Sequence, residues 1–168
     1  MDPKGVRWAI KLALETNSKL ILSGNVEDEK FFEKDVEPFL NKKIQWFGPI
    51  TSEQSLNKKE IVKLMQKAKA FLMPINWYEP FGLVMAEAMS CGTPIIGFDQ
   101  GSVAELVING KTGFVIPSKD GLKGLAKALS SINTINPHDC RRHIEKNFTV
   151  EKMVKGYEEV YQKIINKV

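Results

Sequence analysis

Short, unbroken apolar runs alternate with amphipathic segments along the whole chain. Val6 to Leu14 keeps its apolar residues at helical spacing, then gives way to the run "KLIL", which stops at "SGN" around Gly24. From Asp28 to Leu40 a charged segment carries Phe31, Phe32, Val36, Phe39 and Leu40 at helical intervals and leads into "KIQWFGPI". The stripe Ile61, Val62, Leu64, Met65 and Ala68 predicts a further helix before the run "AFLMP". A helix follows Gly82, then the run "PIIGF", a short helix over 102–107 and the run "GFVIP". The remainder reads as three helices: 122–132, 138–146 and 150–165.

Continuously apolar strands between amphipathic helices are the pattern of a parallel sheet covered on both faces, because neither side of such a strand meets water. The fold class is therefore α/β, a Rossmann-like parallel sheet with helices on both faces. No linker, repeat or low-complexity tract divides it, so residues 1–168 are expected to form a single domain. Several strands end in glycine or proline at Gly24, Gly48-Pro49, Pro74 and Pro117. In an open α/β sheet that carboxyl edge is where ligands bind.

Composition narrows the classes without deciding among them. Hydrophobic residues make up 43% and charged residues 26%, the balance of a soluble domain. No apolar run approaches the roughly 18 residues that cross a bilayer. Cys91 and Cys140 have no metal-ligand spacing, so a reducing cytoplasm is the expected location. The net charge of +4 suits an anionic small ligand or an acidic membrane surface and does not call for nucleic acid.

The stretch "WYEPFGLVMAEAMSCG", residues 77–92, carries the chemistry. Pro80 and Gly82 force a turn soon after a strand, and Leu83 to Met89 favour a helix that ends at Gly92. The first amides of that helix have no partner within it and sit at its positive end, a site for a phosphate or diphosphate. Glu79 lies just before this anion site, and Glu87 lies about five residues into the helix, roughly 7 Å along it. A carboxylate is repelled by phosphate but accepts hydrogen bonds from vicinal hydroxyls. Two carboxylates flanking a diphosphate site suit a ligand with a hydroxylated ring on each side, the shape of a nucleoside diphosphate sugar.

The stretch "EPFGLVMAEAMSCGTPIIGFDQGSVAELVINGKTGFVI" closely resembles the carboxyl-terminal half of retaining glycosyltransferases of the GT-B fold, in the family 4 grouping. "KGVRWAI", "SGN", "WFGPI" and "NFTVEKMVKGYEEVY" fit the same pattern, so the resemblance covers nearly the whole chain. It implies that Glu79 contacts the transferred sugar and Glu87 the ribose. It also implies that the amides of Phe81, Gly82, Leu83 and Val84 hold the diphosphate, with Pro80 part of the same donor-binding segment. Lys4 would neutralise the diphosphate and help the nucleotide leave, Gly24 and Asn25 would line the donor cleft, and Ile50 falls where the base is held. Glu105 takes a structural or cleft-rim role. The resemblance implies no metal and no cofactor beyond the nucleotide-sugar donor.

A complete enzyme of this type has a second, amino-terminal half that binds the acceptor, whether carbohydrate, lipid-linked or other. By the resemblance this chain holds only the donor half and is expected to be inactive alone. The resemblance also places a strand ending in Gly-Arg before Lys4, central in the sheet, and that strand is expected to be missing here. Either its gap leaves the sheet open or another chain supplies it. Thr149 and Glu151 start a last helix whose face Met153, Tyr157, Val160, Tyr161, Ile164 and Ile165 is apolar, so self-association of the fragment is a further expectation. Peripheral contact of the full-length enzyme with the inner membrane face stays open as well.

Other features read as ordinary structure. Met73, Met85 and Met89 are core filler, Cys91 is a small residue near a helix end, and "PHDCRRH" is a surface helix. Trp8, Trp46 and Trp77 are core or cleft-wall residues. Two rival functions remain: a non-catalytic nucleotide-binding module, and a GT-B nucleotide-sugar epimerase relative, which would lack the Glu79 to Glu87 pattern.

Overall fold

The structure is a computed structural model and describes residue 2 and residues 4–48 and 56–166. The elements alternate as read from the apolar pattern: α1 (Val6–Glu15), β1 (Leu20–Ser23), α2 (Glu29–Asp35), β2 (Ile44–Phe47), α3 (Lys58–Lys67), β3 (Phe71–Met73) and α4 (Leu83–Ser90). They continue with β4 (Ile95–Phe98), α5 (Val103–Leu106), β5 (Gly113–Ile116), α6 (Gly121–Ser131), α7 (Pro137–Asn147) and α8 (Val150–Ile165). One helix is shorter than its periodicity suggests. Carrying α2 through Pro38 would lose a backbone hydrogen bond and press the ring on the carbonyl four residues back. The helix therefore stops at Asp35, and a single 3-10 turn over Glu37–Phe39 completes the segment.

All strand pairs are parallel. β1 pairs with β2, and β3, β4 and β5 follow in that order, with Phe71 opposite Ile95 and Ile95 opposite Gly113. Among the described residues β1 and β3 do not pair with each other, so the strands form a two-stranded and a three-stranded sheet rather than one. Burial follows this division. Central β4 is buried at every position, whereas Ile21, Leu22, Phe71 and Leu72 on β1 and β3 are only half-buried.

Two apolar clusters match the two sheets. The larger gathers Met73, Met85, Met89, Ile95, Ile96, Phe98, Leu106 and Leu125, and the smaller gathers Ile10, Leu20, Val36 and Ile44. α1 serves both, with Leu12 in the larger and Ala9, Ile10 and Ala13 in the smaller. Trp8 meets Phe98 edge to face at 5.6 Å between ring centres, which fixes the same helix over the three-stranded sheet. Arg7 closes the other side by a two-toothed ion pair to Asp35, at 2.8 and 2.7 Å. The guanidinium holds the Asp35 carboxyl below its usual range.

One expectation needs adjustment. α7 is not simply a surface helix, because Cys140 and Ile144 are buried and the helix packs along α4. The Cys140 thiol lies 3.6 Å from the Thr112 carbonyl, and His143 places Nε2 2.9 Å from the Leu106 carbonyl. By contrast α8, capped by the Thr149 hydroxyl as expected, is exposed along its whole length with its apolar face uncovered among the described residues.

Burial pushes the Cys140 thiol up to about 11. A pKa raised in the folded state means that stability is fully present below about pH 9, the unfolded value, and is lost as pH rises through about 11. Urea titrations across that window are expected to show a falling midpoint, with a shallower fall for Cys140→Ala.

Candidate functional site

The carboxyl edge of β3 is where the predicted residues meet. β3 ends at Met73, and the chain then runs through Pro74 and buried Ile75 into the loop that carries Trp77 and Glu79. The start of α1 sits on this loop. Gly5 adopts φ 71°, and a Cβ there would fall 1.7 Å from the Pro74 carbonyl oxygen, so no other residue can seat α1 at this depth. Asp2 caps the helix, its carboxylate accepting from the amides of Val6 and Arg7 at 2.8 and 3.0 Å. The Asn76 side-chain amide donates to the Asp2 carbonyl at 2.8 Å, tying the same two segments together.

This docking delivers Lys4 to the loop. Its ammonium lies 3.6 Å from a Glu79 carboxylate oxygen and 4.5 Å from the centre of the Trp77 ring. The Lys4 side chain is 61% exposed and that of Glu79 15%, so the pair sits at a mouth open to solvent rather than in the core. An exposed pair of this kind adds little stability. Its value is chemical, since a cation that can turn toward an incoming anion is held beside a carboxylate that can accept from hydroxyls.

Gly82 starts α4 in the left-handed region, at φ 75° and ψ 60°, a conformation that costs glycine nothing. Among the described residues no protein acceptor takes the amides of Phe81, Gly82, Leu83 or Val84. Leu83 is exposed and Val84 half-buried, while Met85, Ala88 and Met89 root the helix in the core. The structure thus brings Lys4, Glu79, Pro80 and the free amides of α4 together at one loop, a set of groups whose chemistry suits an anion.

The other predicted residues divide. Glu87 is exposed on α4, one turn after exposed Leu83, while Met85, Ala88 and Met89 take the buried side of the helix. It lies one turn before Cys91, whose thiol is raised first by burial and then by the Glu87 carboxylate, against a lowering by Arg141. That environment disfavours the thiolate, in keeping with a structural Cys91. Gly24 and Asn25 lie at the carboxyl end of β1. The Gly24 carbonyl accepts from the Trp46 indole at 3.2 Å, and its amide donates to the Phe47 carbonyl at 3.2 Å. Asn25 lines an open cavity of about 610 Å³ with Val26, Glu29, Phe32, Glu33, Glu37 and Trp46, and neither Lys4, Glu79 nor α4 borders it. Glu105 is exposed on α5. Ile50 lies outside the described residues.

Trp77 and Asn76 gained roles that spacing alone does not reveal. Neither contact has a local signal in the sequence, since the partners Lys4 and Asp2 lie more than 70 positions away.

Residues 4–149 match the family described as glycosyl transferases group 1. The chain belongs to this family. Glycogen synthase of Mycobacterium tuberculosis is 42% identical over 77 residues, which is 46% of this chain and 18% of that protein. The solved structure of HepE from Anabaena in complex with UDP-glucose matches with a TM-score of 0.77 at 20% identity, over 96% of this chain and 46% of that one. The C-terminal domain of a group 1 family glycosyl transferase (LpcC) from Francisella tularensis matches at a TM-score of 0.67 and 18% identity, over 88% and 81% of the two chains. The chain therefore spans less than half the length of the first two relatives. The GT-B recognition made from the central motif is borne out, and so is the parallel α/β fold class.

Gly5→Ala is expected to destabilise the domain by about 2 kcal/mol or more, since overpacking and a left-handed alanine add. Denaturant unfolding of the variant against wild type measures it.

Proposed function

We propose that this domain binds a nucleoside diphosphate sugar and that the enzyme it belongs to transfers the hexosyl group to an acceptor with retention of anomeric configuration. The observation that carries the reading is the convergence of Lys4 and Glu79, 3.6 Å apart, at the free amino end of α4. A cation, a hydroxyl-accepting carboxylate and unpaired amides are what a sugar diphosphate requires, and few other ligands use all three.

The roles follow from position. The amides of Phe81 to Val84 bind the diphosphate, with the α4 dipole favouring its charge. Glu79 accepts from hydroxyls of the transferred sugar, and exposed Glu87, further along the same helix, accepts from the ribose. Gly24 and Asn25 line the donor cleft on the β1 side, and the family resemblance, not position, assigns the nucleobase to Ile50. When the glycosidic bond breaks, negative charge grows on the departing diphosphate. Lys4 turns from Glu79 toward that charge, and the helix amides already point at it, so little reorganisation is needed. This route asks for no metal. The UDP-glucose complex of the structurally similar HepE supports a nucleotide-sugar donor. By the family resemblance, the acceptor is bound mainly by another domain.

Calorimetric titration of UDP, GDP and ADP and of their glucose conjugates is expected to show binding for at least one base. Glu87→Ala is expected to weaken it about tenfold, the loss of one charge-assisted hydrogen bond or more. Silence toward all three bases would sink the donor-binding reading.

A further inference from the structure

We propose that Gly101 and Ser102, at the corner between β4 and α5, form the clamp that aims the anion site, making Ser102 a positioning residue for diphosphate binding. The inference rests on the donor-binding reading and adds the element that sets its geometry.

Ser102 is 2% exposed, and both of its donors go to the site turn. Its amide donates to the Glu79 carbonyl at 2.9 Å and its hydroxyl donates to the Phe81 carbonyl at 2.7 Å. These two carbonyls lie on either side of Pro80, whose ring already fixes φ. The turn from Glu79 to Phe81 is therefore held at both ends and stiff in the middle.

The consequence lies in the peptide plane. The Phe81 carbonyl and the Gly82 amide belong to one planar trans unit, in which C=O and N–H point in opposite directions. Drawing the carbonyl onto the Ser102 hydroxyl therefore turns the Gly82 N–H away from α5. Gly82 is buried and its amide has no acceptor among the described residues, so it is left as a free donor for an anion. Without the clamp this peptide could flip, since Gly82 resists neither orientation.

Gly101 permits the approach. A Cβ on it would lie 2.4 Å from both the amide nitrogen and the carbonyl oxygen of Glu79. The corner itself is rooted: β4 below it is wholly buried, and Val103 and Leu106 of α5 are 0% and 1% exposed. The clamp thus transmits the rigidity of the core to a turn that is otherwise a surface loop. Glu105, on the same short helix, is exposed and makes no part of it.

The test compares Ser102→Ala, Ser102→Cys and Ser102→Thr with wild type, titrating the nucleoside diphosphate that wild type binds, among UDP, GDP and ADP, and its monophosphate. Ser102→Cys nearly keeps the volume but donates only weakly, and so covers the case in which the alanine variant does not fold. The clamp predicts about tenfold weaker diphosphate binding for Ala and Cys, a smaller loss for the monophosphate, and recovery in Ser102→Thr. Wild-type affinity in the Ala or Cys variant, or an equal loss for both nucleotides, would overturn it. A wild-type protein that binds no nucleotide fails the donor-binding reading itself and removes the clamp's ligand with it.

Discussion

The seating of α1 on the end of β3 is the contact from which the rest of the site follows. Because Gly5 has no side chain, the helix start can rest on the Pro74 carbonyl, and Lys4 comes within 3.6 Å of Glu79. These residues are 75 positions apart in the chain. Asp2 reinforces the contact from both directions, capping α1 with its carboxylate and taking the Asn76 amide on its carbonyl. A bulkier residue at position 5 would not merely strain a turn; it would withdraw the cation from the anion site.

Parallel pairing explains why that contact lies where a ligand can use it. Within the three-stranded sheet the strands run the same way, so their carboxyl ends share one edge, and the loop after β3 opens there. The core supplies stiffness from beneath. α1 draws on both apolar clusters, while α4 anchors through Met85, Ala88 and Met89 and leaves its first amides free. Rigidity below and unpaired donors above are the conditions under which fixed dipoles stabilise developing charge.

Much of this was legible in the residues because it is local. Helix and strand alternation, the start of α4 at Gly82, the buried methionines and the Thr149 cap all follow from periodicity and turn chemistry. The end of α2 before Pro38 was equally local, yet the apolar spacing out to Leu40 masked it. What could not be read were contacts between distant segments: Trp77 under Lys4, Asn76 on Asp2, and Ser102 on the two carbonyls of the Glu79 turn. The exposure of Glu87 on α4, which leaves its carboxylate accessible to a ligand, also had to come from the structure. The burial of Cys140 in α7 was hidden by the basic residues around it, which line the opposite side of the same helix.

The central claim is that the amides at the start of α4, framed by Lys4 and Glu79, hold a diphosphate. Backbone amide NMR shifts recorded while a nucleoside diphosphate is titrated test it most directly. The account predicts that Gly82, Leu83 and Val84 show the largest downfield shifts, as free donors acquire a charged acceptor. It is contradicted if the nucleotide binds while these amides stay unmoved and the shifts gather instead around the Asn25 and Trp46 cavity.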